Sequence, residues 1–323
     1  MNSPGSAVSE ILPSWLNYAA KRLRSITGFV TVYPNGGDAR TLAFSRYDHI
    51  ARVASLALSL GEQRGLSRSQ VLMFSWLHDI NRWPFAHNAE RGRFNQPDDI
   101  ERFVAGRLPP TTVRQATDIA RKSVPGLNQD ARAVLLADIV TGFFEDTLFT
   151  ITGLNLSPSE LPDEALDLLR FPVGDLTFLE ELQYLYLSLN QEIDVAGYAY
   201  NFNSLVFRSA RRFLSDHNFL DTDPLETERF WAIRSSVRSD YIEPYIFPLN
   251  NEKVCHGELI RQVLVEPVIS RLGKSAEANL TRWTELDLVA YLLRERLATE
   301  ETVQAIKPTL NYVQEFEPNR CFM

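Results

Sequence analysis

An all-α fold is expected for this 323-residue chain from three features of its sequence. Apolar residues recur with the 3.6-residue period of a helix along most of its length. Alternation with period two, the mark of a half-buried strand, is confined to one short run, Phe29-Val30-Thr31-Val32-Tyr33. Breakers punctuate the periodic segments. Pro34-Asn35-Gly36-Gly37 follows the strand run, and Pro109-Pro110 closes a helix.

Helical periodicity is read around residues 8–25, 42–63, 67–79, 84–92, 97–106, 111–122, 128–145, 175–189, 201–216, 225–243, 255–271 and 284–297. The run at 29–33 and the turn after it predict a small hairpin near residue 30. GLNLSPSELPDE, Gly153 to Glu164, predicts a loop joining two halves. Residues 1–150 are therefore expected to form a core unit. Residues 151–323 are expected to be a further helical region that completes a pocket or an oligomer interface. There is no internal repeat and no low-complexity tract.

Apolar residues make up 45% of the chain and charged residues 23%, an ordinary balance for a protein with a sizeable core. The net charge of −8 is spread over mixed-sign segments, which argues against nucleic acid or an anionic membrane as the main partner. No basic segment followed by an apolar run opens the sequence, and no run approaches the length of a transmembrane helix. Cys255 and Cys321 lie far apart and form no motif, which suits a reducing cytoplasm.

Chemistry concentrates in LHDINRWPFAHNAE, Leu77 to Glu90. The chain has 5 histidines, and His78 and His87 both fall in this stretch. His78-Asp79 follows Val71, Leu72, Phe74, Trp76 and Leu77, so the pair ends a buried helix. Ionisable groups there need partners, because an isolated buried charge is costly. Asp138 lies in ARAVLLADIVTGFF, which is apolar almost all round. Arg132, six residues earlier, is poorly placed to neutralise it. His49, in SRYDHIARVASLALSL, shares a helix face with Arg46 three residues before it. Taken alone, His49 reads as a satisfied histidine at a helix start.

Two imidazoles and two carboxylates form a mixed N/O donor set that suits Mn²⁺, Mg²⁺, Fe²⁺, Ni²⁺ or Zn²⁺. Pro84 suits the first position of a new helix. His87 and Glu90 would then stand one turn apart on one face, turned toward His78-Asp79. Their plain reading is a surface helix with Glu90 paired to Arg91 or Arg93. Beside a metal they read as a general acid/base dyad, with Glu90 orienting His87. His217 and His256 read as structural. The five tryptophans read as core or interface, with Trp83 near enough to the site to form a wall.

The order His49, His78-Asp79, Asp138 resembles that of the HD-domain metal-dependent phosphohydrolases. HDINRWPFAHNAE is similar to the motif HD-I-G-H-x-P-F-G-H-x-x-E of the dGTPase-type deoxynucleoside triphosphate triphosphohydrolases. Pro84, Phe85, His87 and Glu90 fall at that family's spacing. SRYDH resembles its arginine-then-histidine motif, and ADIVTGFFED resembles the segment around its last metal ligand. The resemblance covers roughly residues 40–146. It implies an HD-domain helical bundle that hydrolyses a deoxynucleoside triphosphate to deoxynucleoside and inorganic triphosphate. It implies one divalent metal ion held by His49, His78, Asp79 and Asp138. His87 and Glu90 would act on the attacking water or the leaving oxygen, and Arg46 would contact phosphate. Homo-oligomers are common in the family.

One departure concerns the phosphates. The family's Gly-His after HD-I is Asn81-Arg82 here. Arg82 supplies a fixed positive charge able to grip an oxyanion, but it cannot transfer a proton. Nucleoside-monophosphate phosphatases of the superfamily carry glutamate at that position, so Arg82 counts against them. Two alternatives stay open: an HD-type phosphatase or phosphodiesterase on another phosphorylated metabolite, and a nucleotide-binding regulatory protein with weak catalysis.

Overall fold

The computed structural model describes residues 4–35, 38–62, 64–90, 94, 96–104, 106–153, 157–170, 172–173, 175–188, 204–214, 224–242, 260–306 and 310–312. These residues are mostly helical, as expected. No helix among them is long and apolar enough to cross a membrane.

Helix α1 (Pro4–Arg24) leads into the predicted hairpin, β1 (Thr27–Asn35) and β2 (Asp38–Ser45). The strands pair antiparallel, with Val30 opposite Ala43 and Val32 opposite Thr41. A third short strand, Leu310–Tyr312, adds in parallel to β2. The helix expected from residue 42 therefore begins later, as α2 (Arg46–Glu62). The Asp48 carboxylate, in the first turn, sets that start. Ser45 donates its backbone N–H and its hydroxyl to Asp48 Oδ2, each at 3.0 Å. The acid of SRYDH is thereby spent on the helix end.

Next come α3 (Arg68–Leu77), the four-residue α4 (His87–Glu90), α5 (Gln96–Val104), α6 (Pro110–Ala120) and α7 (Gln129–Gly153). The helix expected over 84–92 starts only at His87, in α4. Phe85 and Ala86 have φ values of 65° and 40°, a left-handed bend that no helix accommodates. Pro84 thus precedes a turn and does not open a helix. The expected loop at 153–164 holds a 3-10 turn, Pro158–Glu160, and Asp163 already opens α8 (Asp163–Leu169). A two-strand ribbon, β3 (Pro172–Val173) with β4 (Leu176–Thr177), precedes α9 (Phe178–Ser188). Then follow α10 (residues 204–214) and α11 (Pro224–Val237).

The centre of the fold is α7. It is apolar nearly all round because it is surrounded: α2, α3, α6, α9 and α11 all pack on it. The largest core runs from Ala51 to Val237 and contains Phe143, Phe144, Phe178, Phe207 and Phe213. Residues on both sides of position 150 build it. A second core joins Trp83, Phe85 and Ala89 to Ile260, Leu264, Val268, Leu288 and Leu292. The helices beyond residue 260 therefore form the floor on which the His78–Ala86 segment rests. Trp83 is fully buried in that floor, its indole N–H donating to Thr281 Oγ1 at 3.2 Å.

Candidate metal centre

Residues 78–86 leave the end of α3 as a buried, non-helical segment. A buried loop must find partners for its backbone polar groups. Here side chains supply them. Arg22 Nε donates to Ile80 O at 2.8 Å, and Arg22 Nη2 donates to Arg82 O at 2.8 Å. Gln96 Nε2 donates to His78 O at 2.5 Å, and Trp83 N–H donates to Glu90 Oε1 at 2.9 Å. The remaining Arg22 donors reach the carbonyls of Thr281, Arg282 and Trp283 at 2.6, 2.9 and 3.2 Å. One guanidinium thus ties α1, the His78–Ala86 segment and the 281–283 turn together.

The segment presents His78 and Asp79 to α2 and α7. His49, His78 and Asp79 offer ligand atoms within 4.8 Å of one another, and all three residues are buried. Asp138 joins through the imidazoles: its Oδ1 lies 3.1 Å from His49 Nε2 and 3.8 Å from His78 Nε2. The structure therefore brings together all four residues expected from the sequence as metal ligands.

The donors in this group face one another lone pair to lone pair. His78 Nδ1 lies 2.8 Å from Ser75 O, a carbonyl that can only accept, so the proton sits on Nδ1. His78 Nε2 is left with a lone pair, is fully buried and has no hydrogen-bond partner among the described residues. His49 lies between two carboxylates, with Nδ1 2.8 Å from Glu145 Oε2 and Nε2 3.1 Å from Asp138 Oδ1. A neutral ring can donate to only one of them. Burial, with Arg46 beside it, pushes His49 down to about 4, and burial pushes His78 down to about 3 against the pull of Asp79. Both rings are thus neutral near pH 7. With Glu145 taking the Nδ1 proton, the Nε2 lone pairs of both rings converge on Asp138 Oδ1. A cation among them would satisfy such a set. The residues present fit a divalent metal ion.

Glu145 does more than accept from His49. Its Oε1 takes Arg52 Nε at 3.0 Å and Nη2 at 2.5 Å. Burial would raise this carboxyl, and His49 and Arg52 outweigh it and hold it low. The chain Arg52–Glu145–His49 fixes the ring as metal-bound histidines are commonly fixed, by a carboxylate on the far nitrogen. The sequence signal for it was the seven-residue spacing of Asp138 and Glu145 on α7, which puts both on one face.

Asp79 is clamped. Arg46 holds its Oδ2 through Nε and Nη2, while Arg82 Nε and Gln96 Nε2 reach Oδ1 at 3.1 and 2.5 Å. Burial would raise its pKa, but Arg46 and Arg82 hold it well below the usual carboxylate range. Gly28 makes room for this: a Cβ there would lie 3.0 Å from Arg46 Cδ. Both arginines expected to bind phosphate are therefore in the site, resting on a candidate metal ligand. Glu90 accepts from Arg82 Nη1 at 2.6 Å as well as from Trp83 N–H. Among the described residues its charge partner is Arg82, inside the segment, while Arg91 and Arg93 lie outside the described residues. Burial raises its pKa in spite of Arg82. His87 opens α4, and its side chain lies outside the described residues, as do His217, His256, Cys255 and Cys321.

Two cations went unnoticed in the sequence. Lys122 Nζ contacts Asp138 Oδ2. It sits just past α6 with φ 57°, where helix ends normally place glycine. The bonds Lys122 N–H to Ile119 O and Ser123 N–H to Asp118 O, each 3.0 Å, complete that helix-end motif. Burial, and then Arg234, hold the ammonium well below the usual lysine value. Arg234, from α11, donates Nε to Asp146 Oδ2 at 3.2 Å. Neither lies near the HD pair in sequence, so no local pattern pointed to them. No protein-family model and no curated protein sequence matches this chain.

Proposed function

We propose that the chain is an HD-domain phosphohydrolase. It would use one divalent metal ion to hydrolyse a nucleotide, with a deoxynucleoside triphosphate as the leading substrate. The observation that carries this reading is the buried, unpartnered Nε2 of His78 aimed with His49 Nε2 at Asp138. His49, His78, Asp79 and Asp138 would hold the ion. When bound, it polarises a phosphoryl oxygen and lowers the pKa of a bound water.

The chain's own residues supply the rest. Arg52 and Glu145 keep the His49 proton on Nδ1. Arg46 and Arg82 now share the two oxygens of Asp79. A guanidinium that gave up its hold on Asp79 would be free to bind a phosphate oxygen, to which arginine offers a planar fork of donors. In the net reaction a water oxygen bonds to phosphorus, the bond to the 5′-oxygen breaks, and that oxygen leaves carrying a proton. Arg82 does not carry protons, so that task falls to another group, for which His87 and Glu90 are the proposed pair.

A second reading is a site that binds a phosphorylated ligand without cleaving it. It is favoured by the tie between Glu90 and Arg82, which commits Glu90 to holding the segment. Product analysis separates the two. Protein with Mn²⁺ or Mg²⁺ is incubated with deoxy- and ribonucleoside triphosphates and the products are resolved by chromatography. Nucleoside plus intact triphosphate is expected. Nucleotide that raises the melting temperature while no product forms would favour the binding reading. No turnover and no binding would remove nucleotides as the ligand class.

A further inference from the structure

The start of α5 meets the His78–Ala86 segment through two amide side chains. Asn81 is fully buried, and its Nδ2 donates to Gln96 O at 2.8 Å. Gln96 answers with its own side chain: Nε2 donates to His78 O and to Asp79 Oδ1, each at 2.5 Å. Carbonyl and carboxylate oxygens only accept, so these partners settle the orientation of both amides. Asn81 makes its contact at a cost, because its Oδ1 is buried with no hydrogen-bond partner among the described residues. Glycine, which the resembled motif has at this position, would avoid the cost and make no contact.

Gln96 differs from the other donors on Asp79. Arg46 and Arg82 bring positive charge to the carboxylate, and that charge opposes a metal ion at the same oxygens. Gln96 brings a neutral N–H group. It also bridges chain neighbours, the backbone carbonyl of His78 and the side chain of Asp79, and so fixes the Asp79 carboxylate against its own main chain. We propose that Gln96, seated by Asn81, is a positioning residue that holds Asp79 in register with the His49 and His78 nitrogens for metal binding. This rests on the metal-dependent phosphohydrolase reading.

The test is titration of the full chain with Co²⁺, followed by calorimetry and by the visible absorption of the bound ion. Gln96→Met keeps the length of the side chain at a half-buried position and removes both donors. It is expected to weaken Co²⁺ binding roughly tenfold or more and to shift the visible band. Asn81→Ala should weaken binding in the same direction. Because Asn81 acts through Gln96, the double variant should bind within about twofold of Gln96→Met alone. Losses that multiply would overturn the seating role of Asn81. Should Asn81→Ala fail to fold, Gln96→Met carries the test by itself. A Gln96→Met protein that loses stability to urea while its Co²⁺ affinity and band stay unchanged would overturn the proposal, because the amide would then only tie α5 to the segment. A wild type that takes up no Co²⁺ would instead overturn the metal-dependent reading itself.

Discussion

Glu145 Oε2 lies 2.8 Å from His49 Nδ1, and this contact decides which nitrogen of the ring faces Asp138 and His78. Glu145 is the nearer of the two carboxylates beside the ring, and with Nδ1 donating to it Nε2 keeps its lone pair toward Asp138. Arg52 in turn holds Glu145. A residue one helix face away from the donors thereby sets their chemistry.

Replacing Glu145 by Gln tests that chain. A carboxamide can donate to Nδ1 and move the ring proton to Nε2. Mn²⁺ affinity, read by calorimetry, is expected to fall roughly 10- to 100-fold. An unchanged affinity would show that Glu145 serves only to pair Arg52.

Asp79 neutralises two buried arginines as well as offering a ligand oxygen. Asp79→Ala should abolish metal binding and turnover together. It should also destabilise the fold by about 3–5 kcal/mol, because Arg46 loses its carboxylate partner and Arg82 keeps only Glu90. Urea denaturation and metal titration of the same sample check both parts. Retained metal-dependent turnover in this variant would remove Asp79 from the ligand set.

The buried neutral histidines predict a stability that falls with acid. Burial holds His49 at about 4 and His78 at about 3, below the usual 6.5. Below about pH 6.5 the unfolded chain takes up protons that the folded chain refuses, so stability declines as pH falls toward 4. At pH 5 the loss is about 2 kcal/mol per histidine. Urea midpoints between pH 7 and 5 measure it. His78→Gln should remove about half of the dependence, and an undiminished slope in that variant would contradict a neutral His78.

Arg22 is 4% exposed and gives all its N–H groups to backbone carbonyls of two segments far apart in sequence. Lysine keeps the charge but has three donors on one atom and cannot span them. Arg22→Lys is expected to cost on the order of 3 kcal/mol, with Asp79 and His78 loosened as a result. Chemical denaturation gives the cost, and a loss under 1 kcal/mol would mean that water replaces the lost bonds.

The sequence by itself determined the helical class and the hairpin near residue 30, and it singled out His49, His78, Asp79 and Asp138 as candidate donors that the structure brings together. These are local matters. Periodicity reports which face of an element is buried, and an acid inside an apolar helix, as at Asp138, announces that a partner exists without naming it. Chain reversal was less legible. The helix expected from Pro84 starts only at His87 because Phe85 and Ala86 bend left-handed, which residue preference does not foretell. Only the tertiary structure decided the partners. Lys122 with Asp138, Glu145 with His49, Arg22 with the HD segment and Arg234 with Asp146 join residues from different elements of the fold. No spacing along one chain records such pairings, because the close approach of helices is set by the packing of the whole core around α7.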